Sequence, residues 1–146
     1  MHPLRELIKN KKLFSEITEK HGTPLYIYDR QRIHENVTKL SNALSNSFEN
    51  FHICYAIKSN SNPHLIRTMR EAFPAIGGDC SSPGEIYAAE LSGISPSECI
   101  YTGNYESKTD FIDALTKGCN INLDDITSLK RLHEVGLPER VSFRMN

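Results

Sequence analysis

The chain of 146 residues contains nothing close to the ~20 consecutive apolar residues that a membrane-spanning helix requires. Its opening stretch, MHPLRELIKNKKLF, lacks the unbroken apolar core of a secretion signal. Neither sign of charge dominates, with 17 Lys and Arg against 18 Asp and Glu. No long-range field therefore draws in nucleic acid or an anionic membrane, and the expected partner is a small molecule. The four cysteines, Cys54, Cys80, Cys99 and Cys119, form no CxxC pair and no zinc-site spacing. Each lies in or at the end of an apolar run and reads as a small buried hydrophobe, and reduced thiols of that kind suit a cytoplasmic location. The patterns GxxxxGK[ST], GxGxxG and HExxH are absent, and the six histidines are scattered, so neither a nucleotide nor a metal is indicated.

What is present is the composition of one globular domain, 38% hydrophobic and 24% charged. Leu4, Leu7, Ile8, Phe14 and Ile17 predict a helix over 4–20 that stops at Gly22, and TPLYIYD (23–29) reads as a short strand. Asp29 can cap a second helix whose Ile33, Val37, Leu40 and Leu44 form an amphipathic stripe. From residue 51 a unit recurs, made of a short apolar run, a polar turn, a helix start and an amphipathic helix that ends near a glycine. The strand-like runs are FHICYAI, AIGGDC, CIYTG, NINL and RVSFRM, with helices between them over 63–73, 83–93, 107–117 and 125–135. Asn62-Pro63 and Ser82-Pro83-Gly84-Glu85 mark two of the helix starts, and Gly93, Gly118 and Gly136 mark helix ends. Alternating βα units imply a parallel sheet, either open and doubly wound or part of a (β/α) barrel. The uniform unit length and the missing dinucleotide fingerprint favour the barrel.

In both architectures ligands bind where the strands end. The groups at those ends are Lys58-Ser59-Asn60, Asp79 with Ser81 and Ser82, Gly103-Asn104, Asp124-Asp125, and Arg144 with Asn146. A lysine at the end of a buried strand is expected to be partly desolvated, which lowers its pKa and makes its amine a candidate nucleophile toward carbonyls. The plainer reading has Lys58 reach solvent or pair with Asp79. Asp79 can equally serve a turn, and Ser82 is accounted for as a helix cap. Asp124-Asp125 can bind a cation or cap the helix that follows.

These segments resemble a known family. YAIKSNSNPHLIRTM is similar to the segment around the cofactor lysine of the fold type III pyridoxal phosphate-dependent decarboxylases, most like the diaminopimelate decarboxylases. GGDCSSPGEIYAAELSG, IYTGNYES, INLDDITSLKRL and VSFRMN follow in the family's order, and HGTPLYIYDRQRIHENV precedes them. The resemblance implies an α/β fold, a partial (β/α)8 barrel of the alanine racemase type broken off after about five units. It also implies a cofactor, pyridoxal 5'-phosphate, held as a Schiff base on Lys58, with Asp79 and Arg144 close to it. The implied reaction is decarboxylation of a small amino acid, meso-diaminopimelate giving L-lysine. An ornithine, arginine or other polyamine-pathway decarboxylase, a racemase, or a non-catalytic regulator on the same fold stand as alternatives. The family's glycine-rich phosphate loop, its ring-stacking His and its substrate-side Cys and Tyr are expected beyond residue 146. On this resemblance residues 1–28 are expected to associate with a C-terminal β domain absent here, and 29–146 to form an incomplete cofactor-binding barrel. The piece alone is then expected to be inactive, and the complete protein to be a homodimer.

Overall fold

A computed structural model describes residues 9–145, so Leu4, Leu7, Ile8 and Asn146 lie outside the described residues. Among the described residues, helix α1 (Lys11–His21) starts from the Asn10 side-chain cap, so the helix expected over 4–20 is interrupted at Asn10, and it ends at Gly22 as its sequence predicts. Helix α2 (Arg30–Ser45) starts from Asp29, whose carboxylate accepts the Arg32 amide. Between them, 23–29 is no strand: it has no ladder partner among the described residues, and Tyr26 is 89% exposed. A short apolar run becomes a strand only where another strand's backbone pairs with it, and that information is non-local.

The repeating units follow. Strand β1 (Cys54–Ala56) leads through a single 3-10 turn, Ile57–Ser59, to α3 (Pro63–Ala72). Then come β2 (Gly77–Cys80), α4 (Pro83–Leu91), β3 (Cys99–Tyr101) and α5 (Lys108–Lys117). Strand β4 (Asn120–Leu123), α6 (Ile126–Val135) and β5 (Ser142–Phe143) complete the series. The caps read from the sequence are made, Asn62 accepting the His64 amide and Ser82 that of Glu85, and the structure adds Ser107, which accepts the Asp110 amide. Helix α5 closes on Gly118 at φ 81°, a left-handed position where a Cβ is costly.

All four strand pairs are parallel, and the strand order is β1-β2-β3-β4-β5. A doubly wound sheet reverses its order at a switch point. Here the order never reverses, so right-handed crossovers put every connecting helix on one face, and the units form an arc of a (β/α) barrel. Between helices and sheet lies the core, with Ile57, Ile66, Ile86, Phe111, Leu123 and Leu132 all fully buried. Tyr101 packs edge-on against Phe111 at 6.5 Å between ring centroids. The opposite, concave face of the sheet is left for a ligand.

Candidate active site

Side chains alternate between the two faces of a strand, and the register decides which ones share the concave face. Ala56 lies beside Asp79, Asp79 beside Ile100, Ile100 beside Asn120, and Asn122 beside Ser142. That face and the strand ends above it line a cavity of about 550 Å³. Lys58, Asp79, Ser81, Asn104 and Arg144, all located from the sequence, open into it. So do Cys54, Ile100, Thr102 and Asn122, which the sequence reading missed. Reading only the last residues of each run overlooked the strand bodies, whereas counting back in twos from Asn104 and Asp124 reaches Thr102, Ile100 and Asn122. Ser59, Asn60, Ser82 and Asp125 do not line the cavity.

Lys58 corrects one expectation. Strand β1 ends at Ala56, and Lys58 stands on the 3-10 turn beyond it, exposed, while the neighbouring Ile57 is fully buried and anchors the turn. The burial that the desolvation argument required is therefore not supplied by the described residues. The turn is steadied instead by its neighbours: the Tyr55 hydroxyl donates to the Asn60 carbonyl at 3.3 Å, and the Asn60 amide donates to the Tyr28 hydroxyl at 3.0 Å. Among the described residues Lys58 forms no ion pair with Asp79, and neither side chain is engaged in a hydrogen bond.

Arg144 is fixed more firmly. Its backbone amide donates to the Leu123 carbonyl at 2.9 Å, extending the β4–β5 ladder, and its guanidinium lies 3.6 Å from Asp124 Oδ1. Of the two aspartates, Asp124 thus faces Arg144, while Asp125 caps α6, accepting from the Thr127 and Ser128 amides. A polar ladder crosses the cavity floor: Ser142 Oγ donates to Asn122 Oδ1 at 2.7 Å, and Asn122 Nδ2 donates to Thr102 Oγ1 at 3.0 Å. Because β5 has only two paired residues, this ladder matters for register, and a slip of one residue would turn Arg144 away from the cavity.

Burial pushes the Cys54 thiol up to about 11, with the nearby Asp79 charge adding to the effect. Cys54 is therefore a neutral thiol near pH 7, a wall group and not a nucleophile. Cys119 is raised to about 12, also mainly by burial. The site consequently offers one primary amine, one unpaired carboxylate, one guanidinium, and several amides and hydroxyls. That set suits a small anionic molecule bearing a carbonyl group.

Comparison with known proteins agrees with this chemistry. The model of the pyridoxal-dependent decarboxylase, pyridoxal binding domain, matches residues 31–146. The diaminopimelate decarboxylase of Methanothermobacter thermautotrophicus is 41% identical over 133 residues, covering 90% of this chain and 30% of that protein. That of Thermoplasma acidophilum is 37% identical over 131 residues, covering 90% and 31%. Among solved structures, the diaminopimelate decarboxylase of Helicobacter pylori complexed with L-lysine has a TM-score of 0.77 at 29% identity, covering 91% of this chain and 34% of that one. The chain thus spans about 30% of the length of the curated relatives it matches.

Proposed function

The chain belongs to the pyridoxal-dependent decarboxylase family through its pyridoxal binding domain, and on that premise we propose that its cavity holds pyridoxal phosphate on Lys58. The observation that carries this reading is the shared cavity, in which a lysine on a strand-end turn opens into the same space as Asp79 and Arg144. Its volume of about 550 Å³ lies in the range of small-ligand sites, and its amine, carboxylate and guanidinium fit an aldehyde on an anionic ring. Lys58 Nζ would bond the aldehyde carbon, with Asp79 and Arg144 flanking the ring. When bound, the cofactor supplies an electron sink for the pair left behind by a departing carboxylate.

The chain's own residues then do the orienting. The Lys58 turn is pinned by buried Ile57 and by the Tyr55–Asn60–Tyr28 contacts, so the amine is offered from a fixed backbone. The exposed position of Lys58 on the cavity rim leaves its amine open to an incoming aldehyde. Asp124 restrains Arg144, and the Asn122 ladder keeps β5 in the register that presents it.

The activity we propose for the complete protein is decarboxylation of meso-diaminopimelate to L-lysine and CO2, in keeping with the relatives described above. We further propose a cytoplasmic homodimer, and no activity for residues 1–146 alone, since relatives of that activity are about three times as long. The test is CO2 release by the complete protein with pyridoxal phosphate, given meso-diaminopimelate, ornithine or arginine in turn, with the 146-residue chain assayed in parallel. Turnover of meso-diaminopimelate by the complete protein alone is expected. Turnover of ornithine or arginine instead would overturn the substrate, and cofactor binding without any turnover would point to a regulator.

A further inference from the structure

Glu106 is the one buried carboxylate among the described residues, 3% exposed, and it sits in the loop that carries Thr102 and Asn104 from β3 into the cavity wall. Its surroundings are built for it. The loop folds back on itself, so that a Cβ at Gly103 would stand 2.4 Å from Glu106 Cγ and 3.2 Å from the Tyr101 hydroxyl; only glycine fits there. Tyr105, at the 90% exposed tip, takes φ 60°, a left-handed conformation that a bulky residue adopts only when neighbours enforce it. Across from the loop, in α6, Ser128 Oγ donates to Glu106 Oε2 at 2.9 Å, and Arg131 Nη2 donates to Ser128 Oγ at 2.9 Å. The Arg131 guanidinium lies 3.8 Å from the same carboxylate oxygen. Glu106 Oε1 and Arg131 Nε are both buried and unpartnered. Those two atoms are the ones a two-pronged carboxylate–guanidinium contact would join.

We propose that Glu106 is a positioning residue: its buried carboxylate staples the 102–107 loop to α6 and so sets Thr102 and Asn104 in the wall of the Lys58 cavity. The path is short, because Thr102 and Asn104 line the cavity while Gly103, between them in the chain, lies directly against the Glu106 side chain. Thr102 also receives the Asn122 amide, so a shift of the loop reaches the ladder that seats β5 and Arg144. The inference rests on the reading that this cavity binds pyridoxal phosphate.

The experiment compares the complete protein with its Glu106→Ala, Glu106→Gln and Ser128→Ala variants, measuring the dissociation constant for pyridoxal phosphate, the absorption maximum of the bound cofactor, and the thermal midpoint. Glu106→Ala is expected to weaken cofactor binding about tenfold or more and to shift the absorption maximum, since displacement of binding groups by about an ångström costs on that scale. Ser128→Ala should move both readouts in the same direction by less, and Glu106→Gln, which keeps shape and one acceptor, should recover part of the loss. A lower thermal midpoint in Glu106→Ala with cofactor affinity within twofold of the parent and an unmoved absorption maximum would overturn the proposal. If Glu106→Ala does not fold, Ser128→Ala decides on the same criteria. Failure of the parent protein to bind the cofactor would sink the site reading instead.

Discussion

Asp125 illustrates how a single side chain sets the start of an element and a pH dependence together. Its carboxylate caps α6, and its pKa is lowered, first by the hydrogen bond from the Thr127 hydroxyl and then by the Ser128 amide. A carboxylate whose folded pKa is depressed contributes stability that is full above its unfolded value, near 3.8, and is lost as the pH falls through the lower folded value. Thermal melts of the parent and of Asp125→Asn should therefore differ most near pH 6 and converge as the pH drops toward 3. A difference independent of pH would contradict the role given to its charge. That Asp125 caps and Asp124 faces Arg144 was not decidable from the sequence, where either aspartate could cap. Lys58, Asp79, Ser81 and Asn104 were legible because strand ends in a parallel sheet converge. Cys54 was not, since Lys58 stands on a turn beyond β1 and the alternation cannot be counted back from it.

Helix boundaries were the most readable elements because caps are local chemistry. Asn62, Ser82, Ser107 and Gly118 each act within a few residues of themselves. Strand extents were less so: β1 stops before Lys58, and the 23–29 segment pairs with nothing among the described residues. Packing then carries what propensity does not. Leu132 in α6 is fully buried beside Ser128, the residue that holds Glu106, and with Leu129 and Val135 it packs the element that anchors the cavity loop onto the core. Leu132→Ala removes buried methyl groups and leaves a cavity, and should cost about 2–5 kcal/mol. Chemical denaturation of the complete protein checks this, and a loss under about 1 kcal/mol would show that α6 is not held in this way.

Five parallel strands in sequential order curve around a cavity to which every strand contributes a lining residue or a ladder partner. Helices cover one face, so the concave face and the strand ends are where chemistry can be sited. Lys58, Asp79 and Arg144, from beside three different strands, open into one cavity there because the order never reverses. The central claim is that Lys58 holds the cofactor. It is tested most directly by incubating the complete protein and Lys58→Ala with pyridoxal phosphate, recording the absorption band of the bound cofactor, reducing with borohydride, and locating the label by peptide mass. The parent should show the band and carry the label on the peptide containing Lys58, whereas Lys58→Ala should show neither. A surviving band in Lys58→Ala, or a label fixed on another residue, would contradict the account.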